Sequence, residues 1–82
     1  MRVNPHIFYR YESQIDGGTT YIFNSNSYEI LKTTELAYLI IKGIDEQKNI
    51  NTILKSLDNQ VSIEELKTFT QELIDLKIIS DY

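Results

Sequence analysis

Tyr21-Ile22-Phe23-Asn24-Ser25-Asn26-Ser27-Tyr28-Glu29-Ile30-Leu31-Lys32-Thr33-Thr34-Glu35-Leu36 decides the fold, because strand chemistry gives way to helix chemistry within it. β-branched and aromatic residues from Thr19 to Phe23 suit a pleated surface, with Tyr21 and Phe23 on one face. Asn24-Ser25-Asn26-Ser27 follows as a turn, since each of these side chains can hydrogen-bond its own backbone. Tyr28 to Lys32 reads as another short strand. Thr33 or Thr34 can then cap a helix from about Glu35 to Lys42 that carries Leu36, Leu39 and Ile40 on one side. Gly43 stands where a helix-ending glycine belongs, behind Lys42, whose charge suits the helix dipole.

Working outward toward the N-terminus, His6 to Glu12 predicts a first strand. Ile7, Tyr9 and Tyr11 alternate with Phe8, Arg10 and Glu12, which gives one buried face and one wetter face. Asp16-Gly17-Gly18 marks the turn that follows, because glycine accepts positive φ without steric penalty. Two tight connections in succession make an antiparallel meander.

In the other direction, Asp45 to Asn49 is a polar connection. A second helix over Thr52 to Leu57, capped by Asn51, would bury Ile53, Leu54 and Leu57, and Asp58-Asn59-Gln60 ends it. Ser62-Ile63-Glu64-Glu65 is a capping box, with Val61 and Leu66 placed as its hydrophobic staple. This third helix should run to about Lys77 and leave through a short extended Ile78-Ile79. Three strands followed by three helices predict one α+β domain over residues 1–82, with 1–4 and 80–82 frayed, whose helices resemble a winged helix-turn-helix arrangement.

Composition bounds the function. The chain has 82 residues, 41% of them apolar and 24% charged, with no cysteine and no tryptophan. A secreted domain of this size usually carries disulfides, so the expected address is the cytoplasm. Met1-Arg2-Val3-Asn4-Pro5 has no apolar stretch behind its charge, against a signal peptide, and no apolar run is long enough to span a bilayer. Eight bases stand against twelve acids and none of the bases is adjacent to another, so the concentrated positive field that neutralises phosphates is missing.

Catalytic devices find little to work with. The single histidine, His6, lies beside Pro5 near a chain end, and usual zinc sites need cysteines or several histidines. Gly17-Gly18 is followed by no lysine-serine signature, against a phosphate cradle. The acid pairs Glu64-Glu65 and Asp45-Glu46 are explained by a helix start and a solvated loop. The expectation is a non-catalytic domain that needs no cofactor and no metal.

Two surfaces exceed what a minimal core requires. Ser27-Tyr28-Glu29-Ile30-Leu31-Lys32 has no proline and only a terminal lysine, so a peptide strand could add to this edge unless another element covers it. On the third helix Ile63, Leu66, Phe69, Leu73, Ile74 and Leu76 span roughly 160°, wider than the stripe of somewhat over ~100° that one-sided packing needs. Leu66 and Leu73 lie mid-stripe. The Phe69 and Leu76 flank, rimmed by Glu65 and Glu72, could floor a groove beside the strand edge; the bland account buries all six.

The order of elements and the Tyr21–Leu36 stretch resemble the PqqD-like family, the recognition elements for precursors of ribosomally made, modified peptides. Leu31-Lys32 stands where that family commonly has a leucine-asparagine pair, Thr34 matches the threonine opening its first helix, and Gly43 resembles the glycine ending that helix. Leu73 to Ile79 resembles its leucine-rich end and apolar exit. The resemblance runs from Pro5 to Ile79 on patterns of size and polarity, and Lys32 departs from it. It implies that a precursor's leader segment adds as an antiparallel strand to the third predicted strand, with apolar side chains entering a groove against the third helix. The domain would then present the attached core peptide to a modifying enzyme, often a radical S-adenosylmethionine protein, or to a leader peptidase. The implied contacts are Ser27, Tyr28, Glu29, Ile30, Leu31, Lys32, Glu65, Phe69, Glu72 and Leu76. The alternatives are a winged-helix DNA-binding or regulatory protein, and a structural subunit docked permanently on an enzyme.

Overall fold

The computed structural model describes residues 1–58 and 60–81, so Asn59 of the expected second-helix turn and Tyr82 lie outside the described residues. The order is β1 (Arg2–Val3), β2 (Ile7–Glu12), β3 (Thr19–Asn24), β4 (Glu29–Thr33), α1 (Glu35–Asp45), α2 (Ile50–Ser56), α3 (Ile63–Asp75) and β5 (Ile79–Ser80). β2, β3 and β4 form an antiparallel meander in that spatial order, followed by the three helices: an α+β fold. β1 and β5 make a separate antiparallel pair, Arg2 opposite Ser80 and Val3 opposite Ile79. Arg2, Val3 and Ser80, which fall in the stretches expected to fray, are therefore held in strand pairing. Asn4 reinforces the tie: its side-chain amide donates to the Lys77 carbonyl at 2.7 Å and its backbone N–H to the Ile78 carbonyl at 3.0 Å.

Register sorts the sheet into two faces. The inner face carries the rows Ile7–Asn24–Glu29, Tyr9–Ile22–Leu31 and Tyr11–Thr20–Thr33. The open face carries Phe8–Phe23–Ile30 and Arg10–Tyr21–Lys32. Period-2 alternation fixes this division, and β2 buries Ile7 while Phe8 stays exposed, as its pattern predicts. Ile7 and Ile22 of the inner face join Ile40, Ile41, Ile44, Ile53, Leu57, Leu66, Leu73, Ile78 and Ile79 in one core. Fully buried Thr20 is accommodated there because its hydroxyl donates to the Thr34 carbonyl at 2.7 Å.

The helices start on polar caps. The Thr34 hydroxyl accepts from the Ala37 N–H at 3.5 Å, and Ser62 and Glu65 form the reciprocal capping box at 3.1 and 3.0 Å. α2 starts earlier than Thr52: Asn49, not Asn51, is the cap, with Oδ1 accepting from Thr52 N–H at 2.8 Å. The earlier start lets Ile50 join Ile53, Leu54 and Leu57 at helical spacing, a fuller apolar face than the shorter helix offers.

α1 departs most from expectation. It continues through Gly43 to Asp45, and its buried face is Ala37, Ile40, Ile41 and Ile44, while Leu39 is exposed. Gly43 is a packing glycine: a Cβ there would lie 2.8 Å from Cγ1 of buried Ile53. The left-handed residue that ends α1 is Gln47, φ 61°, with Gln47 N–H on the Ile44 carbonyl and Lys48 N–H on the Gly43 carbonyl. α3 likewise stops at Asp75, short of Lys77. Lys77 at φ 61° closes it, its N–H on the Ile74 carbonyl and the Ile78 N–H on the Leu73 carbonyl, both 2.9 Å. This two-bond closure turns Ile78 back into the core and delivers Ile79 to β5.

Candidate functional site

β4 is an edge strand, and its residues Glu29 to Lys32 are all exposed, Ile30 at 63% and Leu31 at 44%. Half the backbone polar groups of an edge strand face away from its one neighbour, which leaves them to water or to another chain. The opposite edge strand, β2, is tied into the fold by its side chains. Tyr9 Oη donates to Asp45 Oδ2 at 2.7 Å and Tyr11 Oη to Glu35 Oε2 at 2.6 Å, so α1 is fastened at both ends beneath it.

Beside β4 lies a hollow of about 150 Å³ floored by Ile7, Ile22 and Ile78 and walled by Ile30, Leu31 and Leu76, with Asn24, Ser27 and Glu29 at one end. A cavity of that size holds one branched or aromatic side chain. It is well below the roughly 300 Å³ at which small-molecule pockets begin. Leu76 caps α3 and is 55% exposed, with its neighbour Ile78 held by the α3 closure, so the exit of this helix builds the wall.

The hairpin loop before β4 supplies the rim. Asn24 Oδ1 accepts from the N–H groups of Asn26 and Ser27 at 2.9 and 3.2 Å, the turn chemistry expected of this stretch. Tyr28 lies outside the strand, at φ 62°, and the residue is 80% exposed. The predicted strand therefore starts one residue late, at Glu29, and ends at Thr33. Tyr28 must turn the chain back, and a left-handed residue closes a four-residue hairpin loop.

Of the ten residues expected to contact a peptide, the hollow brings together Ser27, Glu29, Ile30, Leu31 and Leu76, with Tyr28 and Lys32 on the flanking strand and loop. Glu65, Phe69 and Glu72 line a different depression on α3 with Ser62, Glu64 and Thr68, to which no β4 residue contributes. Phe69 and Leu76 do share a helix face, but residues seven apart are separated by about 10 Å along the axis. A common stripe is thus not a common pocket, and the acid at the β4 hollow is Glu29. Ile7, Ile22 and Ile78 of the floor are missing from the expected contacts. Their signal was the alternation that sets Ile22 opposite in facing to Tyr21 and Phe23.

The open face carries a second apolar area. Phe8 and Phe23 rings lie 6.5 Å apart, and with Tyr9, Arg10, Tyr21 and Ile30 they line a shallow depression of about 490 Å³. Lys32 Nζ sits 5.9 Å from the Tyr21 ring centre, and Arg10 pairs with Glu12 at 3.2 Å.

Compared with family models, with curated proteins and with solved structures, the chain finds no match. Among the described residues no helix is long and apolar enough to cross a membrane.

Proposed function

We propose that this chain is a non-catalytic peptide-recognition domain that takes an extended peptide as a fourth strand against β4. The observation that carries the reading is the pairing of an uncovered edge with an apolar hollow sized for one side chain. Backbone hydrogen bonds along Glu29 to Lys32 would give affinity, and the hollow between Leu31 and Leu76 would give selectivity. The antiparallel sense is favoured because both existing pairings of this sheet are antiparallel and such ladders are slightly more stable.

The PqqD-like resemblance supplies the identity of the peptide: the leader of a ribosomally made precursor, held so that its core reaches a modifying enzyme such as a radical S-adenosylmethionine protein, or a leader peptidase, in the cytoplasm. Tethering would raise the core peptide's local concentration to about the millimolar range without contacts of its own.

Fluorescence titration of the chain with a leader peptide should give micromolar or tighter binding. Ile30→Pro removes a backbone donor and stiffens β4, and should abolish that binding while the helical circular dichroism stays largely intact. Binding that survives Ile30→Pro in a folded variant would falsify strand addition at β4. A salt-sensitive mobility shift with duplex DNA would favour the nucleic-acid alternative, which the acidic balance of twelve to eight opposes.

A further inference from the structure

The β4 edge is polarised. Reading from its start, Glu29 faces inward, Ile30 outward, Leu31 inward and Lys32 outward. Residues directly opposite one another on neighbouring strands share a face, so the register that sorts β3 against β4 also sorts any strand added next. Each row then asks for a particular neighbour. The row Tyr9–Ile22–Leu31 ends at the apolar hollow beside Leu76. The row Phe8–Phe23–Ile30 ends at the exposed Ile30 and continues an apolar surface already two rings wide. The row Arg10–Tyr21–Lys32 ends on an exposed ammonium, and the row Ile7–Asn24–Glu29 on an exposed carboxylate.

We propose that β4 selects an extended peptide in which four consecutive residues run acidic, apolar, apolar, basic from N- to C-terminus. This rests on the antiparallel strand addition proposed above, since an antiparallel strand meets Lys32 first and Glu29 last. The acid lies opposite Lys32 on the open face. The first apolar side chain enters the hollow between Leu31 and Leu76. The second joins Phe8, Phe23 and Ile30 on the open face. The base lies opposite Glu29 at the polar end of the hollow, where Asn24 and Ser27 also stand. The peptide is thus read on both faces of the extended sheet, apolar contacts setting affinity and the two end charges setting direction and register.

The charges make the proposal directional. A parallel strand meets Glu29 first, so the favoured order would be reversed. Two blocked peptides of equal composition decide it, one with Asp-Val-Phe-Lys and the other with Lys-Val-Phe-Asp between identical threonine flanks, titrated by isothermal calorimetry. Cross-strand ion pairs of ordinary strength at both ends predict roughly five- to thirty-fold tighter binding of the Asp-Val-Phe-Lys peptide. That preference should shrink in 0.5 M salt. The double variant Glu29→Lys, Lys32→Glu should invert it, and both positions are exposed, so the fold should survive, as far-ultraviolet circular dichroism checks. Equal affinities would overturn the charge code and leave strand addition standing. A preference for Lys-Val-Phe-Asp would overturn the antiparallel register. Binding of neither peptide, together with no leader peptide binding, would remove the edge reading itself.

Discussion

At φ 62° Tyr28 occupies a region that Asn, Asp and Gly visit readily and a bulky aromatic rarely does. The residue is 80% exposed, so packing does not hold it there; the hairpin does, through the Tyr28 N–H on the Asn24 carbonyl. Strained residues of this kind often mark functional sites, and this one adjoins the β4 edge. Tyr28→Asn is expected to raise stability by about 1 kcal/mol in urea unfolding, because the left-handed cost falls while the turn is kept. If the ring also covers bound peptide, the same variant should weaken binding several-fold, a gain in stability set against a loss of function. Unchanged stability would mean that the loop tolerates the aromatic side chain better than its backbone suggests. The sequence shows Tyr28 as strand-like, because aromatic residues prefer strands; the demand for positive φ comes from closing a hairpin of fixed length.

At the scale of elements, the starts of α1 and α3 were legible and their ends were not, whereas α2 shows the reverse, its cap misplaced and its stop at Asp58 foreseen. Thr34 and Ser62 announce their caps through their own side chains, a local chemistry that needs no tertiary partner. The ends of α1 and α3 rest on Gln47 and Lys77, left-handed residues that are not glycine. The one glycine offering itself as a stop, Gly43, lies inside α1 to let Ile53 approach. Lys77→Gly should therefore stabilise the α3 exit by about 1 kcal/mol, read as a rise in the thermal midpoint. No rise would show that the closure around Leu73, Ile74 and Ile78 already offsets the strain. Because that closure also positions Leu76 beside β4, a better-fixed exit should leave peptide affinity unchanged or improve it.

At the scale of the whole molecule, two tyrosines join the layers. Tyr38 lies between the Tyr9 and Tyr11 rings, at 5.8 and 5.7 Å, while the two hydroxyls hold Asp45 and Glu35 at opposite ends of α1. Burial, then the hydrogen bond to Asp45, pushes the Tyr9 hydroxyl well above its ordinary pKa of 10, and the bond to Glu35 raises that of Tyr11. A raised folded-state value means the unfolded chain loses these protons first. The associated stability is thus fully present below pH 10 and declines as pH rises from there toward the folded value. Tyr9→Phe should cost about 1 kcal/mol at neutral pH and flatten, without abolishing, the alkaline decline measured by urea titrations between pH 8 and 11. An unaltered decline would assign it elsewhere. The sequence by itself determined the strand meander, the faces of β2 and β3, the caps of α1 and α3, and a β4 without guarding residues, since alternation, turn chemistry and capping act within a few neighbours. Only the tertiary structure decided that Arg2–Val3 pairs with Ile79–Ser80, that no described strand pairs with the outer edge of β4, and that Leu76 rather than Phe69 meets it. Those outcomes depend on where separate elements come to rest, and helical phase carries no information about position along the axis.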